Sequence, residues 1–568
     1  MKKLLLLLFF ATCIACPAQR KKFIAHGWDL LSCSPQILLE NIDALEQLPL
    51  AGLSIRMLAK NDSGKTVWSS SPLVCERLKP EWLDHHRPAL KRVCGGTLKD
   101  NFITTMWAPQ KRLAWQDDEA WDRAANNLGV LMALAKEVGA RGLLIDPEDY
   151  PKSKQYDYLG SADGGSYREI ATLARKRGAQ LMQAMGNAYP NGTLLAFWLF
   201  SLSNLSLYKG TTSPAQILET SGNLWYPFLE GMLDVVPEDF TMVDATENGY
   251  TMKFEDYDFY KAALNIQRDP IRFLSLENHK KYRRNVQVGF GLYLDMYTNQ
   301  DPTKYYYHPP LNGSRVNRLY ENVKQAMEAS DEYCWLYGEQ FHWTDWKTPP
   351  RKQSPSWESQ LPGMNKVLAK LLDPQKVLAE QFNAAKQKGE LKNLVTNSEC
   401  APIKPANAKE GAYDDWEEGN LPDGWHFWQH TKMGKFFLDT TTGYGDKYSA
   451  RAEGIGSGCF LVKCPAAPSA DYAVEAYHKG KLAASVRVRW QNQNKWVVPE
   501  KDFIFSFDED AKDGWKKATG FVTVPHDADM MVVLLGCNLG PEDSANFDLP
   551  KVYKISQDEP TPATNADK

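Results

Sequence analysis

Between residues 22 and 346, short apolar runs alternate with longer amphipathic stretches. Runs of four to eight apolar or β-branched residues between turn signals are typical of buried strands. We predict eight such strands in this part of the chain. They span residues 23–29, 52–57, 102–108, 142–145, 193–200, 240–243, 286–294 and 333–337.

The stretches between these strands have helical periodicity. Asp117 or Asp118 is predicted to cap a helix whose apolar positions repeat at helical spacing until Gly139 ends it. Ser166 and Glu169 have the spacing of a capping box, which predicts a second long helix. Strands that alternate with helices indicate a parallel sheet covered by helices.

Eight such repeats match a (β/α)8 TIM barrel in number and size, and we assign residues 22–346 to it. The alternative is a doubly wound open sheet. That fold usually carries a glycine-rich phosphate loop after its first strand, and no such loop follows residue 29. The barrel is therefore the predicted α/β architecture.

The remainder of the chain changes character. Residues 347–400 contain a helical pattern at 365–388 and are predicted to extend the barrel by packing on it. Residues 401–412 are rich in Pro, Ala and Lys and predict a linker. From 413 to 556, alternating segments between turn signals predict an all-β sandwich. The tail, 557–568, is predicted to be disordered.

The N-terminus has the pattern of an export signal. Lys2 and Lys3 precede an apolar run at 4–10, and Cys16-Pro17-Ala18 resembles a cleavage site, so residues 1–18 are predicted to be a signal peptide. The alternative is a lipoprotein signal with Cys16 as the lipidated residue. Either interpretation predicts an exported, bacterial-type protein that is periplasmic, cell-surface or secreted. Its membrane contact would be limited to a lipid anchor.

Composition narrows the function classes. The 66 basic and 70 acidic residues nearly balance and form no long basic run, so nucleic acid is not an expected partner. The 18 Trp residues exceed what core packing explains, and aromatic rings provide flat platforms for sugars. Export permits disulfides, and the possible pairs are Cys75 with Cys94, and Cys459 with Cys464 or Cys537. No HExxH motif is present, and the eight cysteines after the signal lack CxxC spacing. We therefore expect neither a metal nor a cofactor.

The fourth predicted strand ends in Asp146-Pro147-Glu148. Residues two apart on a strand point the same way, so both carboxylates are expected to face one site. Catalytic residues of a barrel lie at the C-terminal ends of its strands. Two close carboxylates are the basic equipment for cleaving a glycosidic bond. The alternative is that these residues only end the strand and cap the next helix.

The other strand ends carry further polar and aromatic residues. Glu247 and Glu339 are additional catalytic candidates after strands six and eight. Together, carboxylates and aromatic walls predict a sugar-binding cleft. The substrate-binding candidates are His26, Trp28, Asp29, Arg56, Trp107, Tyr150, Trp198, Asp244, Tyr250, Tyr293, Asp295, Tyr337 and Trp343.

This layout resembles glycoside hydrolase barrels in general. Asp146 and Glu148 are similar to the end of the signature of family 18 chitinase-like enzymes. That resemblance implies a Glu acid and an Asp that steadies a substrate acetamido group, although the upstream acidic position is Leu144 here. A resemblance to α-galactosidase-like barrels implies Asp146 as nucleophile with Asp244 or Glu247 as acid. A third analogy pairs Glu148 with Asp295 or Glu339.

All three analogies require one protonated and one ionised carboxyl group. We predict Glu148 as the general acid and Asp146 as its charged partner or the nucleophile, because neighbouring carboxylates raise each other's proton affinity.

The C-terminal segment resembles galactose-binding-like jelly rolls. The resemblance rests on residues 415–419, 421–425, 445–449 and 546–550. It implies a module that either binds carbohydrate or braces the enzyme.

The leading hypothesis is therefore an exported glycoside hydrolase that acts on a polysaccharide or a glycoprotein glycan. The alternative is a non-catalytic carbohydrate-binding surface lipoprotein. An esterase or lyase with His26 as base is a third interpretation, but no GxSxG elbow is present.

Overall fold

The computed structural model describes residues 21–203, 213–350, 354–401, 425–430, 433–480, 484–498 and 501–555. They form two compact units. The first ends at Leu368 and omits Leu311–Gly313, which group with the second unit from Ala369 onward. The predicted signal peptide, residues 402–412 of the predicted linker and the predicted tail lie outside the described residues, as do the jelly-roll motif positions 415–419 and 421–424.

The first unit is a closed barrel of eight parallel strands in which each strand pairs with its neighbours in sequence. All eight predicted strands are present, but several end earlier than predicted: Trp28 and Asp29 already belong to a helix, and the fifth strand ends at Ala196 rather than at residue 200. The strands are β1 (Lys22–Gly27), β2 (Gly52–Ile55), β3 (Phe102–Met106), β4 (Gly142–Asp146), β5 (Thr193–Ala196), β6 (Thr241–Thr246), β7 (Val286–Tyr293) and β8 (Tyr333–Gly338).

Large apolar side chains fill the barrel interior. They form one cluster whose buried members include Ile24, Phe102, Leu144, Leu195, Val243 and Trp335. Leu144 therefore faces the barrel axis. Because strand residues alternate in direction, Asp146 faces the same way two residues later, at the C-terminal mouth.

The barrel closes between its first and last strands. β1 and β8 pair over six residues, from Lys22 opposite Tyr333 to Gly27 opposite Gly338. A Cβ atom at Gly27 would lie 2.7 Å from the carbonyl oxygen of Gly338, so only glycine permits this approach. By contrast, β1 and β2 pair over two residues.

Helices follow most of the strands, and the long ones begin and end as predicted. Asp117 caps the helix Asp118–Val138 by accepting a 2.9 Å hydrogen bond from the amide of Ala120. Gly139 ends that helix in the left-handed conformation. Ser166 and Glu169 form the predicted capping box of the helix Tyr167–Ala188.

The first unit contains shorter helices as well. Its other α-helices are Trp28–Ser32, Pro35–Glu40, Ile42–Leu45, Arg87–Gly95, Pro214–Ser221, Trp225–Val235, Asp258–Arg268, Leu276–Asn285, Asp295–Thr298, Arg315–Ala329 and Trp357–Gln360. Its 3-10 turns are Pro80–His86, Gly160–Asp163, Phe200–Leu202, Glu247–Tyr250, Phe254–Asp256 and Pro270–Phe273. A two-stranded ribbon, Ala59–Lys60 and Thr66–Val67, follows β2.

The second unit is the predicted β-sandwich, built from two six-stranded antiparallel sheets. One sheet contains Trp425–Gln429, Gly458–Pro465, Met530–Cys537, Ser485–Asn492, Lys495–Trp496 and Phe503–Ser506. The other contains Lys435–Asp439, Ser449–Glu453, Ser544–Lys554, Asp471–Gly480, Lys516–Thr523 and Glu509–Asp510. A short 3-10 turn, Lys512–Gly514, connects the last two. Side chains from both sheets, such as Phe460 and Phe547, share one core.

A buried hydrogen-bond cluster joins three strands of the second sheet. The side-chain amide of Asn546 donates to Asp439 at 2.9 Å and to Ser449 at 2.8 Å. Ser449 and Asn546 belong to the jelly-roll motifs of the sequence. At these two positions the motif therefore links neighbouring strands.

The predicted helix at 365–388 is wrong in one respect, because it is two helices. Met364–Leu372 ends before Pro374, whose ring cannot continue a helix, and Asp373 caps Pro374–Gln387. This second helix packs on the sandwich through Leu378 and Phe382, so the predicted extension of the barrel does not hold for it. Its apolar stripe is covered by Ala473 and Ile555 of the sandwich.

Two further findings concern the described residues as a whole. None of their helices has the length and apolarity needed to cross a membrane. All eight of their cysteines are free thiols, so the disulfides considered from the sequence are not formed. Those pairs were Cys75 with Cys94, and Cys459 with Cys464 or Cys537.

Candidate active site

Asp146 ends β4 at the barrel mouth. Its Oδ1 accepts a 2.9 Å hydrogen bond from the amide of Glu148, which bends the chain back after the strand. The residue is only 6% exposed. Burial raises the pKa of its carboxyl group to about 7, and the charge of Glu148 acts in the same direction.

Glu247 follows β6 and lies near the same two carboxylates. Its amide donates to the carbonyl of Phe197 at 3.1 Å, which fixes the start of the loop. Burial raises the pKa of its carboxyl group to about 9, and the charges of Asp146 and Glu148 raise it further. Glu148 accepts a hydrogen bond from the hydroxyl of Tyr150. Three carboxyl groups from β4 and β6 therefore act on one another in a single space.

Three tyrosine rings form a wall of this space, which we call the tyrosine wall: Tyr250, Tyr293 and Tyr337. The rings of Tyr293 and Tyr337 stack at 5.1 Å, and those of Tyr250 and Tyr337 are near parallel at 6.0 Å. Burial, followed by the charge of Glu247, raises the pKa of Tyr250 well above its usual value. Flat aromatic faces beside carboxylates are suited to a sugar ring.

His26 lies against this wall from the barrel side. Its ring is 5.5 Å from that of Tyr337, and its Nδ1 is 2.8 Å from the hydroxyl of Ser54. Burial lowers the pKa of His26 to about 3, so the imidazole is neutral and a weak base. Ser54 is fully buried. This pair therefore lacks the accessible nucleophile that an esterase requires.

The indole of Trp198 is an open donor in the mouth. The ring packs on the interior cluster, and its buried Nε1 has no hydrogen-bond partner among the described residues. A buried donor without a partner costs about 1–3 kcal/mol, which a ligand oxygen would recover. Trp28 and Tyr150, at 41% and 62% exposed, were also predicted to bind substrate and are accessible at strand ends.

Asp29, Asp244 and Asp295 were predicted to bind substrate, but the structure gives them a different role. Each is nearly or fully buried and uses both carboxylate oxygens to accept hydrogen bonds from neighbouring loops. Asp29 accepts hydrogen bonds from the amides of Leu30 and Trp343 and from the indole of Trp346. Asp244 accepts hydrogen bonds from the amides of Leu199 and Ser201 and from the Ser201 hydroxyl. Asp295 accepts them from the amides of Glu339 and Gln340.

Trp107 and Trp343 were also predicted to bind substrate, but both are buried beyond the ends of β3 and β8. Trp107 is fully buried, and its indole packs against Phe228 and donates to Thr105. Trp343 is 3% exposed and donates to the carbonyl of His26 at 3.2 Å. Neither ring is available to a ligand, because neighbouring elements already cover both faces.

Glu339, a catalytic candidate from the sequence, lies exposed on the rim. It accepts a hydrogen bond from the hydroxyl of Tyr293, and its amide donates to Asp295 at 2.9 Å. It is not among the charges that raise the pKa of Asp146 or Glu247. This geometry favours Glu339 as a positioning group for the tyrosine wall.

Sequence reasoning missed two aromatic groups at the mouth. Tyr306 meets Tyr293 edge-to-face at 5.3 Å, and burial and the charges of nearby groups, including Glu247, Glu148 and Glu339, raise its pKa. The signal was the run Tyr305-Tyr306-Tyr307 in the loop after β7. Trp68 lies beneath the guanidinium of Arg56, a predicted binding residue at the end of β2.

Within the described part of the chain, no three His, Cys, Asp or Glu side chains are arranged to hold a metal ion. No protein-family model matches the chain. No curated protein matches it either.

Several solved structures share limited similarity with the chain. A tailspike enzymatic domain of bacteriophage CBA120 is 9% identical over 23% of this chain and 19% of its own, with a TM-score of 0.20. The chain thus spans less than a fifth of that domain. A xylan-binding domain from Paenibacillus barcinonensis is 11% identical over 25% of this chain and 97% of its own, with a TM-score of 0.19.

An arabinose-bound GH51 α-L-arabinofuranosidase is 11% identical over 29% of this chain and 27% of its own, with a TM-score of 0.21. At these TM-scores none of the three likenesses bears on the function of the chain.

Proposed function

We propose that the barrel is a glycoside hydrolase and that its catalytic carboxyl groups are Glu148 and Glu247. The observation that carries this proposal is the raised pKa of Glu247, about 9, beside two other carboxylates at the mouth. A carboxyl group that keeps its proton at neutral pH, next to one that ionises, is the arrangement that glycosidic cleavage needs.

In this mechanism Glu247 is the general acid. It transfers its proton to the glycosidic oxygen while the bond from that oxygen to the anomeric carbon breaks. Glu148 supplies the electron pair on the other side, either by attacking the anomeric carbon or by taking a proton from the attacking water. The hydroxyl of Tyr150 donates a hydrogen bond to Glu148 and helps to orient it.

Asp146 acts through the other two groups. Its hydrogen bond to the amide of Glu148 sets where that carboxylate projects, and its charge favours the protonated form of Glu247. The sequence hypothesis had made Glu148 the acid. The burial of Glu247 and the two neighbouring charges support the exchange of roles.

Export remains part of the proposal and rests on the N-terminal sequence. An enzyme that cleaves polysaccharide or glycoprotein glycan meets such substrates outside the cytoplasm. Mass spectrometry of the mature N-terminus would separate cleavage near Ala18 from lipidation at Cys16. An unprocessed N-terminus in the native host would contradict export through this segment.

The deciding experiment is product release from a panel of plant, microbial and host oligosaccharides, followed by mass spectrometry. Wild type, Glu148→Gln and Glu247→Gln are compared, with Glu238→Gln as the matched control. Glu238 is exposed before β6 and pairs with Arg284 at 3.0 Å, away from the strand ends. Cleavage by wild type and the control alone supports the proposal.

Two outcomes would contradict it. Cleavage by all four proteins would move the chemistry away from Glu148 and Glu247. Retention of a glycan by every variant without cleavage would favour the alternative, a carbohydrate-binding protein that uses the tyrosine wall as a docking surface.

A further inference from the structure

Arg56 is a cation at the barrel mouth for which the described part of the chain supplies no counterion. Ser54, two residues earlier on β2, contacts the ring of His26 inside the barrel. By strand alternation Arg56 projects from the same side, one step closer to the mouth. It is half-buried, and it forms no hydrogen bond or ion pair with any residue that the structure describes.

Several covered arginines of the barrel unit have acidic partners. Arg112 pairs with Asp163 at 2.7 Å, and Arg177 pairs with Asp118 at 2.7 Å. Arg318 likewise lies against Glu255. Burial without such a partner lowers the pKa of Arg56. A partly desolvated guanidinium is stabilised when an anion reaches it.

Trp68 adds an exposed aromatic ring beside the guanidinium of Arg56. Its ring is 56% exposed and lies 5.8 Å below the guanidinium carbon of Arg56. The loop that carries it then returns to β3, where the amide of Met106 donates to the carbonyl of Ser70 at 2.7 Å. Met106 is paired in register with Asp146. The loop is therefore anchored beside the catalytic strand.

The distance between Arg56, after β2, and the carboxyl groups at the end of β4 suits one bound oligosaccharide. β2 and β4 are separated by one strand, so their ends lie roughly 10 Å apart. An exposed indole offers a stacking face for a sugar ring, and a guanidinium fork offers two parallel donors to a carboxylate. The carboxyl groups at the mouth repel an anionic sugar less than ordinary ones would, because the pKa values of Asp146 and Glu247 are raised.

We propose that Arg56 and Trp68 form a subsite for an anionic sugar, so that the substrate is a glycan carrying carboxylated or sulfated residues. The proposal rests on the proposed function and specifies its substrate class. Arg56 binds the acidic group and Trp68 stacks on the ring that bears it.

The test compares acidic oligosaccharides with neutral counterparts of the same linkage. Glucuronoxylan and oligogalacturonide fragments are used beside their carboxyl-reduced forms, and a sulfated galactan beside its desulfated form. We expect wild type to prefer one acidic form by at least tenfold in kcat/KM. Whether the carboxylated or the sulfated pair gives the preference identifies the anion.

The variants are Arg56→Met, Arg56→Lys and Trp68→Ala, with Arg92→Met as the matched control. Arg92 is exposed on the helix Arg87–Gly95. Arg56→Met should reduce the acid-to-neutral ratio about tenfold, mainly through KM, as expected for a lost charged hydrogen bond. Arg56→Lys should restore part of the ratio, and Arg92→Met should keep that of wild type.

Equal cleavage of acidic and neutral forms by wild type would overturn the subsite and leave the hydrolase proposal intact. Calorimetry covers the opposite case, in which no substrate is cleaved. Binding of an acidic fragment that Arg56→Met abolishes, and that weakens with salt, would then support the subsite while the hydrolase proposal fails. Binding that does not depend on Arg56 would overturn the proposed subsite.

Discussion

The barrel mouth has two sectors that both carry acidic residues. In one sector the carboxyl groups keep free oxygens, and in the other they bind backbone amides. At the ends of β4 and β6, Asp146 accepts one hydrogen bond from a described residue, and Glu148 and Glu247 are half-buried beside it. At the ends of β7, β8 and β1, Asp295 and Asp29 use both oxygens to hold backbone amides.

The difference lies in how many backbone donors each carboxylate receives. Asp29 and Asp295 are committed to loop structure, because every oxygen already has a partner. Asp146 and Glu247 keep unused acceptor capacity in a buried place. Burial raises the pKa of the carboxyl groups in both sectors, so the free acceptor capacity is what separates them. Position at a strand end therefore does not separate these carboxylates, whereas the number of hydrogen bonds that each accepts does.

The largest expected effect is in the β4–β6 sector. Glu247→Gln should lower kcat/KM by about 10²–10⁴-fold for a natural sugar leaving group, because no proton is then available to the departing oxygen. The loss should be much smaller for an aryl glycoside with an acidic phenol. Glu148→Gln should slow both substrates. The reverse pattern would return the acid role to Glu148.

The second effect is on pH dependence. With the pKa of Glu247 at about 9, kcat/KM of wild type should fall as pH rises through that region and the acid loses its proton. Asp146→Asn removes a negative charge that raises this pKa, so the basic limb should move about one pH unit lower. The pH–rate profile on the natural glycan, whose leaving oxygen needs the proton, measures this shift. A fixed limb would exclude Glu247 as the titrating group.

The two sectors should also respond oppositely in stability. The folded-state pKa of Asp146, about 7, is above the usual value, so its contribution to stability falls as pH rises from about 4 to 7. Asp146→Asn should therefore stabilise the protein by about 1–2 kcal/mol at pH 8 and little at pH 4, since its amide oxygen can still accept from Glu148.

Asp29→Asn should instead destabilise it by about 1–3 kcal/mol, because an NH₂ group replaces an acceptor that faces backbone and indole donors. Denaturant unfolding at both pH values compares the two variants. The same sign for both would refute the distinction between the sectors.

The smallest effect concerns the tyrosine wall. Tyr293→Phe should lower kcat/KM about fivefold, the value of one ordinary hydrogen bond, because Glu339 loses its partner. Glu339→Gln should have a similar effect, and the double variant should be little worse than either single one. Additive losses would show that the two side chains act independently.

Hydrophobic patterning was enough to predict the barrel, because buried parallel strands are short apolar runs and the capping residues Asp117 and Ser166 mark helix starts. The Asp-x-Glu pair was predicted for the same local reason. The roles of Asp29, Asp244 and Asp295 were not, because their donors lie on other loops, up to 317 residues away along the chain. Trp107 was misjudged because its position at a strand end does not reveal its burial against Phe228, which lies on a helix much later in the chain.

The pairing of β1 with β8 has a consequence for the order of folding. β1 shares six residue pairs with a strand some 300 residues later and two with β2. At about 5–20 residues per second, a ribosome takes roughly 15–60 s to deliver β8 after β1. During that time the first strand lacks most of its final partners, so closure is a late, high-contact-order step of folding. The seam between β1 and β8 is thus the last part of the barrel to close.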